Sequence, residues 1–234
     1  MSMVTAGEAA RRLGISRRRV AELWHAGALR GSKNSAGLSI ELASVHEREL
    51  IGAIPGRPWS GDIVWEVIAI LSGEAGTPTD TSEASRRILK HDSPDLARRM
   101  VAAVDVERYD ARDLERDRDD IRRSLALTGA SALDRIERDR AARVVDQQEG
   151  QSIHGYVRHD DASRDAFLEE FDLVPSPTGD VFLHRFKSGT PRIADETPAA
   201  LVAADCTRST TTRIRRAGLD ALERMRNAWL AERS

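Results

Sequence analysis

The sequence predicts an α+β, helix-rich fold: a small basic domain over residues 1–52 followed by a larger mixed α/β domain over residues 53–234. Three observations predict it. Apolar residues make up 40% of the chain and aromatic ones only 4%, so the core must rest on Ala, Leu, Ile and Val, which suits closely packed helices. Helix-start and helix-stop residues recur along the chain at helical spacing. Short alternating runs near residues 38–40, 153–158 and 180–186 place strands between those helices. A length of 234 residues fits one large domain or two small ones. Pro55, Gly56 and Pro58 mark residues 52–60 as the boundary. The second domain divides further into a helical part, 53–123, and an α/β part, 124–234.

The N-terminal elements follow from caps and turns. Thr5 and Glu8 have capping-box spacing, which starts a helix that Gly14 ends after Leu13. Ser16 is an N-cap for a second helix, from about Arg17 to Ala26, stopped by Gly27. Val20, Leu23 and Trp24 share one face and can close a small core with Leu13 and Ile15 over Ala9. Arg18 and Glu22 lie on the opposite face. Ala28-Leu29-Arg30 reads as a strand, residues 31–37 as a polar loop, and Leu38-Ser39-Ile40 as the returning strand of a hairpin. Ser44 with Glu47 reads as the cap of a third helix ending near Leu50.

Further elements follow in order. Ser60 precedes an apolar helix over residues 63–71, broken by the Gly- and Pro-containing run 72–78. Ser82 caps a helix to about Lys90, and Ser93-Pro94 starts another that runs to about Val104. Residues 106–109 read as a short strand. Residues 110–123 alternate Asp and Arg, which reads as a solvated helix face laced with ion pairs. Residues 124–132 read as a strand end, a Gly turn and a helix start. Strands are expected at 153–158, 173–174 and 180–186, the last two joined through the turn 175–179. Helices are expected over 162–171, after Thr197-Pro198, and from Thr212 to Ala231. The last carries an apolar stripe of Ile214, Leu219, Leu222, Met225 and Leu230, with Trp229 close beside it and Gly218 permitting a close helix crossing.

Charge is uneven. The whole chain carries 36 Lys and Arg against 38 Asp and Glu, a net −2, so any DNA-binding surface must be a local patch. Such a patch exists: through residue 35 there are seven Lys or Arg and two carboxylates, with five Arg between residues 11 and 19. That asymmetry is what neutralising phosphates requires. A lone Cys206 cannot form an internal disulfide, which fits a reducing cytoplasm. No apolar leader segment is visible, and the longest apolar run, near residues 63–71 and interrupted by Glu66, is too short for a bilayer. The expectation is a cytoplasmic protein with no membrane contact.

Helix, Gly-containing turn, helix and hairpin form the helix-turn-helix plan. The run Ala6-Gly7-Glu8-Ala9-Ala10-Arg11-Arg12-Leu13-Gly14-Ile15-Ser16-Arg17-Arg18-Arg19-Val20 resembles the excisionase/MerR-type winged helix-turn-helix. The resemblance implies double-stranded DNA as partner. Its implied contact set is Arg11, Arg12, Ser16, Arg17, Arg18, Arg19, Arg30, Lys33 and Asn34. Arg17 and Arg18 would enter the major groove, where the start of a recognition helix reaches base edges. Arg11, Arg12 and Arg19 would grip phosphates, and Lys33 and Asn34 would contact backbone or minor groove from the wing. The order Arg57-Pro58-Trp59-Ser60, Leu127-Thr128-Gly129-Ala130-Ser131-Ala132, Tyr156-Val157-Arg158, Gly179-Asp180-Val181-Phe182-Leu183 and Arg216-Ala217-Gly218-Leu219-Asp220-Ala221-Leu222 is similar to actinobacterial proteins related to AbiE-type (type IV) antitoxins. His184 and Cys206 depart from that pattern. The resemblance implies an autorepressor whose partner is a nucleotidyltransferase-type toxin, with the second domain making a homodimer or toxin contact. Two rivals stay open: an excisionase-like architectural factor that bends DNA, and a protein-interaction module that does not bind it.

Catalytic patterns are absent from the sequence. The histidines at 25, 46, 91, 154, 159 and 184 lack zincin spacing, and Cys206 has no CxxC partner. No Walker loop, nucleophile elbow or dinucleotide fingerprint occurs. A His154–His159–His184 site across a sheet, or a Cys206–His pair, is conceivable but less expected than ordinary strand histidines and a packed thiol. The chain reads as a non-enzyme with no cofactor and no metal.

Overall fold

The computed structural model describes residues 3–25, 29–35, 37–51, 58–74, 82–137, 152–158, 161–176, 179–187, 193, 195–209 and 211–233. The chain separates into two compact units, Met1–Ala53 and Ile54–Ser234. Several sequence expectations lie outside the described residues: the helix stop at Gly27, the boundary at 52–57, the break at 75–78, His159, Asp160 and the turn at 177–178.

The first unit runs β1 (Met3–Thr5), α1 (Ala6–Leu13), α2 (Arg17–His25), β2 (Gly31–Asn34), β3 (Gly37–Glu41) and α3 (Leu42–Ile51). Thr5 caps α1 by accepting from the Glu8 amide at 3.2 Å. The Glu8 carboxylate turns instead to Arg11 and Arg12, so half of the expected capping box forms. Gly14 closes α1 at φ +64°, a conformation that costs side-chain-bearing residues about 1–2 kcal/mol. Ser16 accepts from the Arg19 amide at 3.1 Å. Ala9 and Val20 are fully buried, and Leu13, Ile15 and Trp24 pack beside them.

The hairpin differs from its reading. The first strand begins at Gly31, in what the sequence presents as loop, while Leu29 drops into the core. Close contact explains the shift: a Cβ on Gly31 would stand 2.3 Å from Ser39 O, and the Trp24 indole donates to Gly31 O at 3.2 Å. The sheet also gains β1, which pairs antiparallel with β3 and gives the order β1-β3-β2. Ser44 is not a cap. It sits inside α3, where its hydroxyl accepts from the Arg30 amide at 2.8 Å.

The second unit has a five-stranded sheet in the order β5-β6-β8-β4-β7. Its strands are β4 (Val104–Ala111), β5 (Leu125–Leu127), β6 (Ile153–Val157), β7 (Leu173–Pro175) and β8 (Val181–Phe186). β6 and β8 run parallel, and the other neighbours are antiparallel. The two edge strands are short, and Pro175 stands on one of them, as a residue without an amide donor should. β7 and β8 do not pair with each other, although only a short turn separates them in sequence. β4 lies between them: its Val104–Tyr109 stretch takes β8 and its Tyr109–Ala111 end takes β7.

Alternation then sorts the side chains. Tyr109, Ile153, Val181 and Leu183 join one core with Ile121 of α7 (Leu114–Ser124), Phe167 of α8 (Asp161–Glu170) and Phe171 just beyond it. Tyr156, His184 and Phe186 take the other face. There they meet Trp65 of α4 (Gly61–Ser72) and Asp205 of α9 (Ala199–Cys206). The remaining helices are α5 (Glu83–Lys90), α6 (Ser93–Ala102), the 3-10 helix Gly129–Arg135 and α10 (Thr212–Ala231). The cap of α6 is Asp92, one residue before the expected Ser93: its carboxylate accepts from the Asp95 amide at 2.9 Å, and Ser93 bonds Glu223 instead. α10 packs along α9 with Ile214, Gly218, Ala221, Leu222 and Trp229 buried, while Leu219, Met225 and Leu230 of the expected stripe are half-buried. Gly218 makes the crossing close, as expected, since a Cβ there would lie 2.4 Å from Ala203 O. The mixed helix-and-sheet composition is that of an α+β fold.

Candidate nucleic-acid interface

α1 and α2 carry the basic cluster. Between them lies an open groove of about 520 Å³ lined by Thr5, Gly7, Glu8, Ala10, Arg11, Gly14, Ile15 and Arg17. The Arg17 guanidinium rests over the first turn of α1. A Cβ on Gly7 would stand 3.0 Å from its Nη2, so the missing side chain at Gly7 makes room for it. Among the described residues no carboxylate pairs with Arg17.

Glutamates tie the other arginines. Glu8 takes Arg11 and, at 3.1 Å, Arg12, whose Nη1 also lies 2.9 Å from His46 Nε2. Glu22 takes Arg18 at 3.1 Å through one oxygen and Arg19 at 3.0 Å through the other. The Arg19 and Arg18 hydrogen bonds hold the Glu22 carboxyl below its ordinary value. On the hairpin, Arg30 pairs at 3.2 Å with the buried Glu41, so it ties the strands together. Lys33 and Asn34 are exposed where β2 ends, and no carboxylate pairs with Lys33 among the described residues. Ser16 is engaged in capping α2. Arg48 on α3 is a residue the sequence reading missed. Burial and then the charge of Arg19 pull its pKa down, and no carboxylate pairs with it among the described residues. No local spacing signals it, because its place depends on how α3 packs within the unit.

A second polar cluster lies in the other unit. The Asp205 carboxylate accepts from Thr128 Oγ1 at 2.7 Å and from the Tyr156 hydroxyl at 2.8 Å, both on the same oxygen. His184 Nδ1 stands 3.4 Å from the other oxygen and Arg208 Nε 3.8 Å. Burial alone would raise the Asp205 carboxyl; the His184 and Arg208 charges and the Thr128 hydroxyl bring it below its ordinary value. Burial and the Asp205 charge push the Tyr156 phenol well up. His154 Nδ1 is 3.4 Å from His184 Nε2, and its ring stacks on Phe182 at 4.2 Å. The structure thus brings together two of the three histidines the sequence singled out, and adds a carboxylate it did not connect with them. Cys206 is buried in α9. Among the described residues no three His, Cys, Asp or Glu side chains form a metal-ligand group.

Trp59 explains another motif. The guanidinium groups of Arg87 and Arg99 lie over its ring, 5.5 and 5.1 Å from the centroid, with the His91 ring 5.4 Å away. Asp95 takes Arg99 at 3.1 Å, Arg98 at 3.3 Å and His91. Burial and the Arg99 charge lower the His91 pKa. This cluster fastens the start of the second unit to α5 and α6.

The chain matches no protein-family model, no curated protein and no solved structure. Among the described residues no helix is long and apolar enough to cross a membrane.

Proposed function

We propose that the chain is a sequence-specific repressor that binds double-stranded DNA through a winged helix-turn-helix of the excisionase/MerR type. One observation carries the reading: Arg11 and Arg17 line one open groove between two short successive helices, and Arg17, at the start of α2, has no carboxylate partner among the described residues. In this reading α2 enters the major groove with Arg17 and Arg18 toward base edges, while Arg11, Arg12 and Arg19 face phosphates. Lys33 and Asn34 sit at the wing tip. Arg30 and Ser16 act through geometry, one bracing the wing and the other capping the recognition helix. A bidentate arginine–guanine contact discriminates by about 1–3 kcal/mol, so replacing both Arg17 and Arg18 with Ala should lower preference for the operator by roughly thirtyfold or more. Anisotropy titrations against the chain's own upstream DNA measure this. Unchanged preference in the double variant refutes the assignment.

The antitoxin half of the proposal rests on the motif order that resembles AbiE-type antitoxins. It assigns the second unit to a nucleotidyltransferase-type toxin or to a second copy of the chain, since one DNA-reading module buries little surface alone. Co-expression with the neighbouring gene tests it, and a toxin that stays lethal in the presence of this chain refutes it.

A further inference from the structure

A carboxylate on a helix that approaches DNA works against binding, because every phosphate repels it. Glu22 is such a carboxylate. It lies one turn beyond Arg18 and Arg19 on α2 and spends one oxygen on each of them, at 3.1 and 3.0 Å. Arg17 is held elsewhere, over Gly7. Of the three arginines, Arg17 alone therefore has no carboxylate partner among the described residues.

We infer that Glu22 is a specificity-determining residue: it keeps Arg18 and Arg19 from non-cognate phosphates and yields them where a base edge offers Arg18 a better exchange. This rests on the DNA-binding reading of the same helix. At a cognate site Arg18 moves to a guanine edge. The released carboxylate accepts from a neighbouring cytosine amino group, a pairing the major groove offers and the phosphate backbone does not. On other sequences the arginines must leave Glu22 and the carboxylate gains nothing. Two exposed pairs of this kind together shift an equilibrium by about two- to thirtyfold, which sets the size of the discrimination.

Glu8 supplies the control. It also ties two arginines, Arg11 and Arg12, but both are assigned to phosphates and neither to a base edge. Removing its charge should strengthen binding to every duplex alike. The experiment compares the full chain with E22Q and E8Q by anisotropy against two probes, the chain's own upstream duplex and a scrambled duplex of the same composition, across a salt series. E22Q should bind the scrambled duplex about two- to thirtyfold more tightly with a steeper salt dependence, gain less on the upstream duplex, and so lose specificity. E8Q should gain equally on both. The melting temperatures of both variants should match the parent, which separates the effect from damage to the fold. If E22Q leaves the ratio of the two affinities unchanged, or behaves as E8Q does, the inference is overturned while the DNA-binding reading stands. If the parent prefers neither duplex, both fall together.

Discussion

Replacing Asp205 with Ala should be among the most damaging single changes to the second unit. The carboxylate is the acceptor for two hydroxyls, Thr128 at 2.7 Å and Tyr156 at 2.8 Å, and all three residues are buried. Alanine leaves both hydroxyls without that acceptor, at about 1–3 kcal/mol for each unsatisfied group. It also strips His184 and Arg208 of a nearby counter-charge, and breaking a buried charge pair costs about 3–5 kcal/mol. These losses share one set of groups and do not add. Removing the carboxylate also removes the cost of keeping it out of water. A net loss of about 3–5 kcal/mol is therefore expected. In a unit of this size each kcal/mol lowers the melting temperature by about 2–4 °C, so Asp205→Ala should melt roughly 6–20 °C below the parent. Asn is the informative comparison. It retains an acceptor for the hydroxyls and loses only the charge, so its loss should be clearly smaller. Thermal and urea denaturation followed by circular dichroism read both variants. A melting point for Asp205→Ala within about 2 °C of the parent refutes the reasoning, being no more than a surface substitution gives. Equal losses for Ala and Asn would show that the hydroxyl acceptor is not what matters.

The same carboxyl gives a pH dependence with a definite sign. Its folded pKa lies below its ordinary value, so its contribution is fully present above an unfolded pKa of about 3.9 and is lost as pH falls through the folded value. The stability gap between parent and Asp205→Asn, read as urea midpoints across acid pH, should narrow below about pH 4; a gap that widens there refutes it. The tyrosines give an alkaline counterpart. Burial and Glu107 push Tyr109 up to about 12, and Tyr156 also stands well above its ordinary value. The folded chain should show no tyrosinate absorbance near pH 10, the value of a free phenol, and a transition there would contradict both environments. Gly218→Ala places a methyl group 2.4 Å from Ala203 O and should cost about 1–3 kcal/mol by forcing α10 off α9; an unchanged urea midpoint would show that the crossing relaxes freely.

Helix ends were legible because their causes are local. Ser16, Ser82 and Gly14 each act within a turn of the helix they bound, and the limits Thr212–Ala231 can be read directly from spacing. Where the reading slipped by a residue, as at Ser93, two adjacent residues could both cap, and a partner far along the chain decided: Glu223 took the Ser93 hydroxyl and left Asp92 to cap. Strand neighbours were much less legible. Nothing local says that β4 must lie between β7 and β8, or that β1 completes the small sheet, because pairing is settled by shape across the whole unit. The candidate interface follows the same division. The Arg18–Glu22 pair is visible as i, i+4 spacing. The seat of Arg17 on Gly7, the Arg30–Glu41 brace and the position of Arg48 depend on how helices and hairpin pack. Likewise His154 and His184 were noticed as strand residues, but Asp205 comes to His184 from a helix that sequence alone does not bring near.

The central place of β4 also shapes how the chain is made. Val104 finds its partner only when Phe186 has been synthesised. At roughly 5–20 residues per second, that leaves the strand without its neighbour for several seconds on the ribosome. The first unit needs no such wait, since each of its strands and helices meets a partner within the first fifty-odd residues. The emerging protein therefore passes through a stage in which a finished, positively charged head precedes an incomplete body whose strands still lack their partners. A holding factor that shields unpaired strands would act on that body alone.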